Sequence, residues 1–253
     1  MYSPSALSED GKVIGQGERE LLGRRGEITY WERVNKFRWG QYLSAIESRF
    51  IANASTLAGP PRQAIEVGAD SGRWSKMLAD KGWKMTCTDV NGAALALCEQ
   101  RVANATTILV NEADETLPAE TDSMQLLLCI EVPYVSERDW FMHEAARVVA
   151  EGGHYVGVMH NRRSARGIAH NVLARGKTRS GYRFYRKSYT KWRQQIRDYG
   201  FEIVAEEGFC WLPMRRDSNS PLIPLLTGIE KWFGLRRVVS LSPWVLFIAR
   251  KSG

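Results

Sequence analysis

The first residues whose types imply chemistry are two glycines, four positions apart, behind a short apolar run: Ala64-Ile65-Glu66-Val67-Gly68-Ala69-Asp70-Ser71-Gly72-Arg73-Trp74. The pattern predicts a buried strand that turns through Gly68 and Gly72 into a helix. Glycine at such a turn lets the backbone approach a ligand at the carboxyl edge of a sheet, where a side chain would collide. A dinucleotide fingerprint would also need glycines at positions 70 and 73. Those positions hold Asp70 and Arg73, and an acid facing a pyrophosphate is repelled. A nucleotide-like ligand without phosphates, carrying a sulfonium and an ammonium, suits Glu66 and Asp70 better, because carboxylates stabilise those cations. Asp89 lies 21 residues beyond Gly68, at the end of the next apolar run. From there a carboxylate can accept hydrogen bonds from both ribose hydroxyls. The competing role for Asp89 is a helix N-cap, which Asn91 would fill as well.

The elements that must hold these residues read as alternating strands and helices, the signature of a parallel sheet with crossover helices. Strands are expected at Ala64–Val67, Met85–Asp89, Thr107–Val110, Met124–Ile130, His154–His160, Phe201–Val204 and Trp244–Ala249. Helices are expected near Gly72–Asp80, Ala93–Ala103, Glu137–Ala150 and Ser188–Tyr199, the last stopped by Gly200. Ahead of the first strand, apolar residues from Ile28 to about Thr56 recur at three and four residue steps, predicting one amphipathic helix or two in succession. Residues 1–27 read as a loose lead-in. Two connections, 161–187 and 213–243, are too long for a compact domain and should carry structure or acceptor contacts. The expected organisation is a lead-in with capping helices over 1–60 and one α/β domain over 61–253.

In this order and spacing the chain resembles the class I, seven-stranded methyltransferases, in particular the branch that includes quinone-biosynthesis methyltransferases. The resemblance runs from about Ile65 to Met159. It is carried by Glu66-Val67-Gly68-x-x-x-Gly72, Asp89, the stretch Glu112-Ala113-Asp114-Glu115-Thr116-Leu117-Pro118, the strand end Leu126-Leu127-Leu128-Cys129-Ile130-Glu131-Val132, and Arg147-Val148-Val149-Ala150-Glu151-Gly152-Gly153. It implies a doubly wound, Rossmann-like sheet of order 3-2-1-4-5-7-6 with strand 7 antiparallel, and S-adenosyl-L-methionine as cofactor. Glu66 and Gly68 would then lie by the methionine part, with Asp70 and Gly72 in the same turn. Asp89 and the adjacent Val90 would lie by the ribose, and Ala113 and Asp114 beside the adenine. Cys129, Ile130 and Glu131 would face the methionine moiety and the acceptor. The sequence departs from the family where Asp70 replaces the usual middle glycine and Gln125 replaces an acid.

Methyl transfer to oxygen or to a protonated nitrogen requires removal of a proton near the acceptor. Glu131 at the end of the fourth strand and His160 at the end of the fifth are candidate bases, and Tyr134 is a candidate for orienting the acceptor. The alternatives are a surface histidine, a glutamate contact without proton transfer and a packing aromatic. Segments 211–216, 218–220 and 242–244 are similar to bacterial methyltransferases of surface-polysaccharide or glycolipid synthesis, which favours a small hydroxyl-bearing, saccharide or lipid-linked acceptor. From Arg162 to Asp198 there are twelve Lys or Arg and one acid, which reads either as a solvated surface or as attraction to an anion. The run Tyr182–Tyr189 fits a lid, and less well a nucleic-acid surface. The apolar insertion from Leu222 to Leu235, followed by Arg236-Arg237, reads as a helix packed over the pocket or as a peripheral membrane contact. Other readings are a degenerate domain acting as a partner subunit and an RNA or protein methyltransferase.

Composition narrows the rest. The chain has 253 residues and a net charge of +7, enough for one α/β core with insertions. No apolar run approaches the ~18 residues of a membrane span, and Met1–Lys12 lacks the apolar core of a signal peptide. A cytoplasmic location is therefore expected. Cys87, Cys98, Cys129 and Cys210 form no CxxC pair and read as buried thiols; no metal site is expected.

Overall fold

The computed structural model of the protein describes residues 29–173, 185–212 and 214–253. The expected lead-in over 1–27, the first three residues of the Tyr182–Tyr189 run and Pro213 lie outside them. The helical start resolves into two elements, α1 (Tyr30–Val34) and α2 (Arg38–Leu57). There follow β1 (Gln63–Val67), α3 (Arg73–Ala79), β2 (Lys84–Asp89), α4 (Gly92–Arg101), β3 (Thr106–Leu109) and β4 (Met124–Cys129). A short α5 (Pro133–Ser136) precedes α6 (Asp139–Val148) and β5 (Val149–His160). The remainder is α7 (Ala165–Leu173), α8 (Tyr189–Asp198), β6 (Phe201–Phe209), α9 (Ile223–Trp232) and β7 (Trp244–Lys251).

The seven strands form one sheet in the order β3-β2-β1-β4-β5-β7-β6, with β7 antiparallel to β5 and β6 and the other pairs parallel. This is the Rossmann-like order that the resemblance implied. Successive strand residues face opposite layers. Leu126, Leu128, Val156 and Leu246 pack under α2, α3 and α4, with Trp39, Phe50, Leu78 and Cys98. On the other face, Ile65, Leu127, Tyr155 and Phe247 pack under α6 and α8, with Phe141, Val148, Trp192 and Ile196. The helix α2 therefore shares the core of the sheet. All four cysteines are buried free thiols.

Strand ends differ from the sequence reading by more than two residues in two places, each for a local reason. The strand β5 begins at Val149, because Val149 already pairs with Met124 before the register shifts. The strand β6 continues to Phe209 past a bulge between Ile203 and Ala205, which breaks the period-two alternation that would have signalled it.

Both long insertions leave the sheet from its carboxyl edge, where His160 and Phe209 each pair with Trp244. Asn161, fully buried, ties them together. Its Nδ2 donates to the Ser240 carbonyl at 2.8 Å, and its Oδ1 accepts from the Arg163 and Tyr189 amides at 3.0 and 3.2 Å. Among the described residues no helix is long and apolar enough to cross a membrane.

Candidate active site

The β1–α3 turn is built on left-handed backbone: Gly68 (φ +73°), Asp70 (φ +49°) and Gly72 (φ +80°). The close approaches at the two glycines are to protein atoms. A Cβ on Gly68 would stand 2.4 Å from Val132 Cγ2, and one on Gly72 would stand 2.7 Å from both Cys98 Sγ and Val102 Cγ2. The turn is thereby pressed against the β4 loop and α4. Asp70 adopts the positive φ that aspartate tolerates better than most side chains.

Asp70 and Asp89 form the acidic centre of this edge. The Asp70 amide donates to Asp89 Oδ2 at 2.9 Å, and the Asn91 amide donates to Asp89 Oδ1 at 2.9 Å. The N-cap of α4 is Asn91, whose Oδ1 accepts from the Ala93 and Ala94 amides. Asp89 is therefore not the cap. Burial raises the Asp89 carboxyl above its ordinary range. Burial, opposed by Thr29 and reinforced by the nearby Asp89 charge, raises Asp70 to about 6. Among the described residues the buried Oδ2 of Asp70 has no hydrogen-bond partner.

Glu66 lies deeper than the sequence reading placed it. It is buried, its Oε2 accepts from the Ser75 hydroxyl, and desolvation raises its carboxyl to about 8. In this structure it supports the turn from below. Val90 and Leu109, at the ends of β2 and β3, are exposed. Ala113 and Asp114 stand in an exposed turn, where Asn111 Oδ1 accepts from the Ala113 amide and Asp114 Oδ2 accepts from the Asn111 amide, each at 3.0 Å. Cys129 packs into the core beneath the sheet and burial pushes its thiol up, so only its backbone is presented at the strand end. Ile130 is buried beside it.

The three acceptor-side candidates meet at one edge. Glu131 sits at φ +55° with its side chain buried and its Oε2 3.7 Å from Arg216 Nη1. His160 is buried rather than on the surface, packed edge-on between the rings of Tyr185 and Trp244. Its Nδ1 is 3.5 Å from Glu137 Oε1. A cavity of about 20 Å³, room for a single water, is lined by Glu137, His160, Lys187 and Gln195. Tyr134 is half-buried on α5.

Several residues here were not singled out from the sequence. Glu137 was read as the start of a helix, although Glu131, Tyr134 and Glu137 recur at three-residue spacing. Glu47 is an acid inside the apolar stripe Leu43, Phe50, Ile51 and Ala54 of α2, an anomaly visible in the sequence. It is buried, pairs with Arg73 at 3.1 Å, and has its carboxyl raised by burial and by Glu131. Arg73 also donates to Ser44 Oγ at 2.7 Å and lies 3.9 Å over the Trp74 ring. Arg216, from the second insertion, lies 4.5 Å over Trp31 of α1 and 5.5 Å from Trp244. Two arginines and two glutamates thus join α1, α2, the glycine turn, the β4 end and the second insertion.

Residues 64–153 match a family model described as a methyltransferase domain. No curated protein matches the chain by sequence. Similar solved structures include a Listeria monocytogenes protein provisionally assigned as an S-adenosylmethionine-dependent methyltransferase (14% identity, TM-score 0.60, 83% of this chain and 98% of that one). A second is the geranyl diphosphate C-methyltransferase of Streptomyces coelicolor A3(2), crystallised with Mg2+, geranyl diphosphate and S-adenosyl-L-homocysteine (17%, 0.59, 99% and 91%). A third is the magnesium protoporphyrin IX methyltransferase of Synechocystis PCC 6803 with bound S-adenosylhomocysteine (12%, 0.58, 94% and 96%). The chain carries a methyltransferase-domain match over residues 64–153 within a Rossmann-like methyltransferase fold.

Proposed function

We propose that the protein transfers a methyl group from S-adenosyl-L-methionine to a small hydroxyl-bearing acceptor, of saccharide or lipid-linked type. The observation that carries this reading is the pair Asp70 and Asp89 at the mouth of the glycine turn, with Glu131 and His160 on the two neighbouring strand ends. The orphaned, buried Asp70 Oδ2 fits a cationic ligand. S-adenosylmethionine supplies an electrophilic methyl group on a sulfonium.

Asp89 accepts the ribose hydroxyls, with Val90 beside it. Gly68, Asp70 and Gly72 shape the turn around the methionine end, Glu66 braces it, and the backbone of Cys129 and Ile130 closes that side. Ala113 and Asp114 flank the adenine. On the acceptor side His160 takes the hydroxyl proton, its ring held by Glu137 and by the edges of Tyr185 and Trp244. Tyr134 orients the acceptor, and Glu131, 3.7 Å from Arg216, lines the acceptor side. Alignment of the acceptor oxygen behind the methyl carbon, at about 3–3.5 Å, supplies much of the acceleration.

The test is transfer of isotopically labelled methyl from S-adenosylmethionine to a panel of saccharide, glycolipid and phenolic acceptors, read by mass spectrometry. Labelled product that depends on His160 supports the assignment. A folded protein that binds the cofactor and labels only RNA or protein overturns the acceptor class.

A further inference from the structure

The helix α9 is inverted relative to an ordinary surface helix. It buries its one carboxylate and exposes Leu225, Ile229 and Trp232. Glu230 is 1% exposed, accepting from the Tyr42 hydroxyl and from the Trp211 amide at 3.2 Å, and Ile223 is buried beside it. Outward go Leu225, Ile229, Trp232 (82% exposed) and Phe233, the last two stacked edge-on at 4.8 Å. The helix is amphipathic, yet its apolar face looks away from the protein.

The same edge of the sheet carries a second such face. On α7, which follows β5, Ile168, Val172 and Leu173 are exposed, and Asn161 ties this insertion to the one containing α9. The exposed charges around these two helices are mostly basic. Lys231 and Arg237 flank the α9 ridge and Arg162 and Arg163 precede α7, while the one exposed acid among the described residues of the two insertions, Asp217, is paired with Arg215 at 3.2 Å. We propose that this face docks on an anionic lipid surface.

Charge complementarity selects that occupant. Anionic headgroups attract the basic flank, and apolar and aromatic side chains enter the boundary between headgroups and acyl chains, where tryptophan is favoured. A second copy of the chain is a poorer fit, because a two-fold contact sets a patch against itself and brings like charges together. The inference is independent of the methyl-transfer reading.

The experiment is flotation of the full chain with vesicles of phosphatidylcholine alone and of phosphatidylcholine with about one third phosphatidylglycerol. The expected result is binding to the anionic vesicles, weakened by salt, and little binding to the neutral ones. Trp232→Ser with Phe233→Ser should reduce vesicle binding at least tenfold, and Lys231→Glu with Arg237→Glu should reduce it comparably. Val204→Ser, on an exposed apolar position of β6, should leave it unchanged. The proposal is overturned by absence of vesicle binding, by binding that ignores the Trp232 and Phe233 changes, or by a dimer in sedimentation velocity that those changes dissolve. Cofactor titration of the same samples separates these outcomes from failure of the methyltransferase reading.

Discussion

At the scale of single residues, the proposed cofactor site rests on carboxylates, Asp70 and Asp89, at the glycine turn. Asp89→Ala should raise the dissociation constant for S-adenosylmethionine at least tenfold with the circular dichroism spectrum unchanged, because the residue stands at a strand end and its loss removes acceptors for two hydroxyls. Asp70 is raised to about 6, so it is ionised above that pH and neutral below. Affinity for S-adenosylmethionine should therefore fall as pH drops from 7.5 to 5.5, and should fall more than affinity for S-adenosylhomocysteine, which lacks the sulfonium charge. Asp70→Gly should flatten this difference and retain binding, since glycine accepts the φ of +49° without strain. Calorimetric titrations at the two pH values check both statements. On the acceptor side, His160→Ala should lower turnover on the true acceptor about 10²-fold or more while cofactor affinity stays the same. The glycine turn and the strand-end acid Asp89 beside it were legible in the sequence, because glycines and a strand-end acid keep their spacing along the chain. Glu137, Arg216 and the depth of Glu66 were not, because burial and pairing across elements depend on contacts between distant parts of the chain.

At the scale of elements, the glycine turn and the Asn161 tie position everything else. Gly72→Ala would place a side chain on a left-handed backbone and against Cys98 and Val102. It should cost about 2–4 kcal/mol, the sum of backbone strain and overpacking, measured by denaturant unfolding. Asn161→Ala removes the bonds that join the two insertions and leaves buried backbone groups unpaired, at about 1–3 kcal/mol. Limited proteolysis should then cut within 161–187 and 213–243 sooner than within the sheet. The insertions were recognised from their length alone. The inversion of α9 was not readable from periodicity, because an apolar stripe has the same spacing whether it faces the core or the solvent. The end of β6 was hidden for another reason, its bulge at Ile203–Ala205.

At the scale of the whole molecule, a parallel sheet with crossover helices followed from the alternation of short apolar runs with helical patterns and its strand order from the resemblance, and the two-sided core explains why β4 reads as a continuous apolar run from Leu126 to Cys129. The fold also carries a collective electrostatic property. The carboxyls of Glu47, Glu66, Asp70 and Asp89 are all raised by burial, so the folded chain holds protons that the unfolded chain releases. Stability should decline as pH rises from about 5 to about 8, and Glu66→Gln should flatten the upper part of that decline, as followed by urea unfolding across this range. Cofactor binding runs in the opposite direction, because a cationic ligand favours the ionised forms.

The most direct test of the central claim is calorimetric titration of the folded protein with S-adenosylmethionine at pH 7.5, beside the Asp89→Ala variant. The expected result is micromolar binding that the substitution weakens at least tenfold. A folded wild-type protein that takes up no S-adenosylmethionine, or an Asp89→Ala variant that binds it equally well, would contradict it.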